Sequence, residues 1–229
     1  MCGRFTITRR DGNSLAAELG VPADSLVDYR PRYNVAPTQP HFIVRIKYEN
    51  REVIPATWGL VRAGSKDASA AAKYINARSE TVDTRPVFRD AFEKRRCVVP
   101  ADGFFEWTGP KTARQPTWFH RDDSRLLLLA GLYEAWQKER DVWQTTFTIL
   151  TTAANAVLAS YHDRMPVILA DRDADDWMDP RAPAAKALKR LLVPAPDDLL
   201  VATPVSPEVN NVDNDSPELL RPAGQMQLI

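Results

Sequence analysis

Short apolar runs broken by turn residues dominate the middle of this chain. His41 to Tyr48 and Arg51 to Trp58 read as paired strands. Cys97 to Pro100, Gly103 to Trp107, Thr117 to His120, Arg125 to Leu132 and Thr145 to Thr151 also read as strands, rich in β-branched and aromatic residues. The run from Arg125 to Ala130 is apolar without alternation, the pattern of a buried strand. Val201 to Val205 predicts a last strand. Helical stretches are few and short. Asn13 to Gly20 has an Asn/Ser start and a Gly stop. Ser79 to Thr84, Val87 to Arg95, Asn155 to Tyr161, Asp173 to Met178 and Pro183 to Leu192 also suggest helix. Arg32 to Pro40 reads as a proline-punctuated loop and Ala63 to Ala72 as a polar surface loop. Strands cluster without βαβ alternation, so an α+β fold with a largely antiparallel sheet is expected.

Composition narrows the functional classes. With 229 residues the chain has room for a substantial core. No linker or repeat divides it, and one domain over 1–229 is expected. Lys+Arg and Asp+Glu are both 30, so a nucleic-acid surface must be a local cluster and not a global charge. Of the basic residues, 22 are Arg; codon bias accounts for the general excess. The N-terminus carries no apolar leader and no run reaches membrane-helix length, so a cytoplasmic, reduced protein with no membrane contact is expected. The two Cys and three His show no metal-ligand spacing, and neither a metal nor another cofactor is expected.

Candidate chemistry begins at the second residue. Removal of Met1 from Met1-Cys2-Gly3-Arg4-Phe5 leaves Cys2 with an α-amine and a thiol on adjacent carbons. The amine titrates near about 7.8 and the thiol near about 8.5, so both nucleophiles are partly available at neutral pH. Such a group condenses with an aldehyde through an imine to a thiazolidine, or attacks an amide with its own amine as base. Three further segments are rich in site-type residues: Asn76-Ala77-Arg78-Ser79-Glu80, Gly103-Phe104-Phe105-Glu106-Trp107 and His162-Asp163-Arg164-Met165-Pro166. Alternation does not settle whether Glu106 faces inward.

With Tyr33-Asn34-Val35-Ala36-Pro37, Trp58-Gly59-Leu60, Pro100-Ala101-Asp102 and Val209-Asn210-Asn211, these segments run in an order that resembles the SRAP family, the SOS-response-associated putative peptidases that process abasic sites in DNA. The resemblance covers nearly the whole chain. It implies a curved or barrel-like sheet flanked by short helices, and a monomer that acts on abasic sites in single-stranded DNA through lyase-type Schiff-base and thiazolidine chemistry at Cys2. Such a protein would be nucleoid-associated when bound. The peptidase label fits self-removal of Met1. The resemblance makes Glu106 a general acid, since burial would keep it protonated. It makes His162 a partner in imine formation or in orienting the sugar. Asn76 is expected either to hold the Cys2 amine or the opened sugar oxygen, or to serve as a plain cap amide. Arg4, Arg78 and Arg164 adjoin Cys2, Asn76 and His162, so a convergent phosphate cluster is expected. Asn34, Pro37, Thr38 and Thr151 are expected beside the strand. Many relatives carry a Trp near position 64, where this chain has Gly64. Two rival readings stand: an N-terminal nucleophile amidohydrolase, and a single-strand-binding module without a covalent step.

Overall fold

The structure, a computed structural model, describes residues 2–182 and 187–224. In chain order the elements are β1 (Phe5–Ile7), α1 (Gly12–Leu19), β2 (Arg32–Val35), β3 (Pro40–Lys47), β4 (Asn50–Trp58), β5 (Asn76–Arg78), α2 (Arg89–Lys94), β6 (Arg96–Ala101), β7 (Gly103–Thr108), β8 (Gln115–His120), β9 (Leu127–Glu139), β10 (Val142–Ala153), β11 (Arg164–Pro166), β12 (Ile168–Leu169), α3 (Ala174–Met178) and β13 (Val201–Pro204). The α+β expectation holds, with a mixed and mostly antiparallel sheet content.

β10, β4, β3, β6 and β9 close on themselves, because β9 pairs with both β6 and β10. Closure removes the open edges that a sheet of this length would otherwise present. The β10–β4 and β10–β5 pairings are parallel and the others antiparallel. A second sheet runs β13-β8-β7-β1-β2. Alternation divides the barrel strands between two cores. Leu128, Ala130, Leu132 and Leu150 pack with Leu15 of α1, Phe92 of α2 and Trp177 of α3. The helices lie outside the ring, so the opposite face points inward. There Leu127, Leu129, Phe147, Ile149 and Trp58 join Cys2, Phe5 and Phe104 from the second sheet.

Polar anchors fix the junctions. Asp102, between β6 and β7, accepts from Thr6 Oγ1 at 2.5 Å, from the Thr8 N–H at 2.5 Å and from Thr8 Oγ1 at 2.7 Å, which ties that corner to β1. Gly103 follows because a Cβ there would lie 2.0 Å from Trp118 Nε1. Arg96 is 2% exposed and donates to the carbonyls of Trp177 at 2.7 Å and Phe92 at 2.8 Å. It thereby satisfies backbone acceptors at the ends of α3 and α2 that lack helical partners.

Several expected elements differ. Arg32–Val35 is strand and not loop, because it pairs with β1. Residues 79–84 form turns, since the Ser79 N–H donates to Thr151 O at 2.9 Å and continues the β5 pairing. Residues 155–161 also form turns, held by Asn155, whose side chain donates to Ala195 O and accepts from the Leu158 N–H. The expected helix at 183–192 lies partly outside the described residues; its end, Lys189–Leu191, is a single 3-10 turn. α1 keeps its expected stop, Gly20 at φ 65°, and takes Asp11 as its cap. Among the described residues no helix is long and apolar enough to cross a membrane.

The ring of His41 packs into the inner core. His41 is 9% exposed, lies 4.4 Å from Phe42 and 4.8 Å from Phe5 between ring centroids, and is held neutral by burial, which lowers it to about 3. The unfolded ring takes a proton below about pH 6.5, so stability is lost as pH falls from 6.5 towards 3. His41→Phe removes that loss. Relative to wild type, the variant should gain about 2 kcal/mol in unfolding free energy between pH 7 and pH 5, read by urea titration at each pH. A difference independent of pH would contradict a neutral buried ring.

Candidate active site

β1 positions the start of the chain. Phe5 pairs with Phe104 and Thr6 with Gly103, and the Phe105 N–H donates to Arg4 O at 3.0 Å. Extending that antiparallel register lays residues 2–4 along residues 105–107, beside Glu106. Strand alternation puts Glu106 on the face of Phe104, which belongs to the Cys2 core, while Phe105 packs with Val205 and Val209 on the other side. Glu106 therefore faces inward and is 3% exposed.

Burial sets the protonation states. Cys2 is 0% exposed; burial pushes its thiol well up, and the nearby Glu106 carboxyl pushes it further. Its Sγ lies 3.9 Å from Arg4 O, a geometry in which the neutral thiol donates. Burial likewise raises the Glu106 carboxyl, partly offset by His162 and Arg114. Asn76, on β5, donates from Nδ2 to the Cys2 carbonyl at 2.8 Å. Its Oδ1 is buried and finds no donor among the described residues. Nδ2 is thus engaged by the Cys2 carbonyl.

Glu106 and His162 line an open cleft of about 910 Å³ together with Gly3, Arg4, Pro37 and Trp107. His162 Nδ1 accepts from the Arg164 N–H at 2.9 Å and lies 2.8 Å from Asp163 Oδ1. The two contacts need opposite states of Nδ1. The backbone N–H is fixed, whereas the Asp163 carboxylate is 80% exposed and free to turn. A ring that accepts from the Arg164 N–H carries its proton on Nε2.

The fold engages the three guanidiniums of the expected phosphate cluster to different extents. Arg4 donates to Asn34 Oδ1 at 2.8 Å and Val209 O at 2.9 Å. Arg164 is 8% exposed; it pairs with both Glu80 oxygens and donates to Thr151 O at 2.6 Å. Only Arg78 remains exposed. Asn34 and Thr151 are both 0% exposed. Asn34 donates to the carbonyls of Val209, Asn211 and Asn214, and Thr151 sits under the Arg164 fork, so both brace the fold from inside. Pro37 and Thr38 form the centre of a turn closed by the Gln39 N–H on Ala36 O at 3.2 Å. Thr38 is left-handed at φ 66°, a strained state for a β-branched residue. Gly64 has φ 81°, which accounts for a glycine there, and no atom stands within 4 Å of a Cβ built on it.

Asp215 carries no sequence signal. It pairs with Arg32 and accepts from the Asn34 N–H at 3.0 Å, which pins the C-terminal segment beside the cleft. Lys111 and Arg114 also line the cleft; their signal was a basic turn directly after the Glu106 strand.

A closed barrel joined to a second sheet, with the chain start buried beside a carboxyl at an open cleft, defines the class. The chain belongs to the SOS response associated peptidase (SRAP) family, whose pattern matches residues 1–212. It is 37% identical over 225 residues to the abasic site processing protein YoqW of Bacillus subtilis, covering 96% of this chain and 99% of that one. It is 33% identical to the abasic site processing protein YedK of Escherichia coli, covering 97% and 100%. A crystal structure of a protein from Bacteroides thetaiotaomicron superposes with a TM-score of 0.84 at 26% identity, covering 97% of this chain and 100% of that one.

The raised Glu106 has a measurable cost. Wild type should lose stability as pH rises from the ordinary carboxyl range through the raised folded value. Glu106→Gln lacks that loss. It should melt higher than wild type at neutral pH, and the two should converge below about pH 4, where both side chains are neutral. A variant that melts lower at pH 7 would show that the folded protein stabilises the ionised carboxylate.

Proposed function

We propose that this protein recognises abasic sites in single-stranded DNA and links to them covalently through Cys2 once Met1 is removed. The observation that carries the reading is the burial of Cys2 against a raised carboxyl beside a cleft open enough for a chain. Family membership and the names of the relatives support the substrate class.

The chemistry balances without an external reactant. The ring-opened abasic sugar offers an aldehyde. The Cys2 amine attacks its carbon to give a carbinolamine. Glu106 donates a proton to the hydroxyl, water leaves and an imine forms. The neutral thiol then adds: its sulfur bonds to the former aldehyde carbon and its proton ends on nitrogen. One aldehyde and one aminothiol give a thiazolidine and water. A buried, protonated thiol suits this order, with nitrogen first and sulfur second. Asn76 holds the Cys2 carbonyl, which orients the amine, and its Oδ1 is a ready acceptor for an amine N–H. In this reading His162 lines the cleft and donates from Nε2 to an opened sugar oxygen. The same burial disfavours the amidohydrolase alternative, which needs a thiolate at neutral pH.

A denaturing gel with an abasic oligonucleotide should give a heat-stable shifted band for wild type. A protein carrying any residue ahead of Cys2 should give none, because the amine is then a peptide nitrogen; an undiminished band from such a protein would refute the mechanism. Cys2→Ala should leave at most a weaker, reducible imine. Glu106→Gln should slow single-turnover adduct formation by about 10²–10⁴-fold, and a rate close to wild type would remove Glu106 from the acid role.

A further inference from the structure

Three Arg or Lys side chains line the cleft: Arg4, Lys111 and Arg114. Arg4 is spent on Asn34 and on C-terminal carbonyls. Lys111 and Arg114 sit on the turn between β7 and β8 and are exposed. Neither side chain makes a hydrogen bond or an ion pair among the described residues, unlike Arg164, Arg32 and Arg9, which are all paired with carboxylates.

The turn that carries them is anchored. The Ala113 N–H donates to Pro110 O at 2.9 Å. Asn210 Nδ2 donates to Arg114 O at 3.3 Å, and its Oδ1 accepts from Trp107 Nε1 at 2.6 Å. Gln115 Nε2 donates to Val205 O at 2.9 Å. Two free cations are therefore held over one wall of the cleft. Among the described residues the only carboxyl lining it is Glu106, which is buried. On a chain with 30 basic and 30 acidic residues, this is a local excess of positive charge.

We propose that Lys111 and Arg114 grip the backbone phosphates of single-stranded DNA at the mouth of the cleft. The inference rests on the reading of the site given above and adds two cations to the expected Arg4, Arg78 and Arg164. Exposed cations are screened beyond about 8 Å at physiological salt, so they hold a lone anion weakly. A chain that presents successive phosphates engages both at once and releases its condensed counterions. The cleft is open, as a chain entering and leaving it requires.

The test uses an intact, fluorescently labelled single-stranded oligonucleotide, with affinity measured by anisotropy over a salt series. Lys111→Ala with Arg114→Ala should make the slope of log K against log salt shallower by about 1.4, at about 0.7 per lost contact. Binding should weaken by a similar factor for all sequences. Lys111→Arg with Arg114→Lys should keep the wild-type slope, because charge and not side-chain shape is read. The abasic-oligonucleotide gel is run on wild type in parallel. If wild type forms the adduct and the double alanine variant keeps its slope, this inference is overturned and the site reading stands. If wild type neither binds nor forms the adduct, both fall.

Discussion

Holding a chain start still in a buried position is the constraint on which the rest of this structure depends. Termini normally fray, because few contacts tie them down. Here β1 has only three residues, Phe5–Ile7, too few to hold by backbone pairing alone. The deficit is made up by side chains. Phe5 is inserted among His41 and Trp58 in the inner core. Asn76 takes the Cys2 carbonyl and Arg4 locks onto Asn34 and the 207–211 segment. Asp102 grips Thr6 and Thr8 from the far side. Each partner comes from a different part of the chain, so the N-terminus becomes the point where barrel, second sheet and C-terminal segment meet.

That arrangement explains why so many polar residues around the site are braces. A buried amide or guanidinium without partners costs several kcal/mol. Asn34 and Arg164 avoid that cost by serving backbone carbonyls and Glu80, and in doing so they leave the solvent. Glu106 and the Cys2 thiol are pushed towards their neutral forms by the same burial. The exposed cations of the 109–115 turn face outward. Buried polar groups and the exposed charge of the rim are thus separated, and a protein of zero net charge keeps a positive mouth.

Much of this was legible in the sequence, and the failures have physical reasons. Strands with period-two or continuous apolar character, such as Leu127–Glu139 and Val142–Ala153, announce themselves. β5 does not: Asn76-Ala77-Arg78 is polar and becomes strand only because β10 lies parallel to it. Residues 79–84 and 155–161 carry helix-compatible residues, yet their polar groups are claimed by Thr151 and Ala195. Glu106 was ambiguous because alternation gives two faces without saying which is buried; the Phe104 pairing with Phe5 decides it. The adjacency of Arg4, Arg78 and Arg164 to Cys2, Asn76 and His162 did signal a shared locality. Adjacency carries no information about whether a guanidinium is free, and two of the three are not.

Two left-handed turns show where the fold tolerates strain and where it does not. At position 64 the chain uses Gly, for which φ 81° carries little penalty. The loop around it is held by Trp136 Nε1 on Ser65 O at 2.8 Å, so its shape does not depend on a side chain at 64. At position 38 the chain keeps Thr at φ 66°, where Gly or Asn would be easier. The conformation survives because the Thr38 N–H is fixed on Trp58 O at 2.8 Å and Pro37 pre-sets the preceding residue. Trp58 is itself buried against Phe5 and Phe147, so the inner core enforces the strained turn. Strain of this kind persists only where the surroundings over-determine it. Pro37 lines the cleft, so the packing that immobilises the chain start also shapes part of the cleft wall.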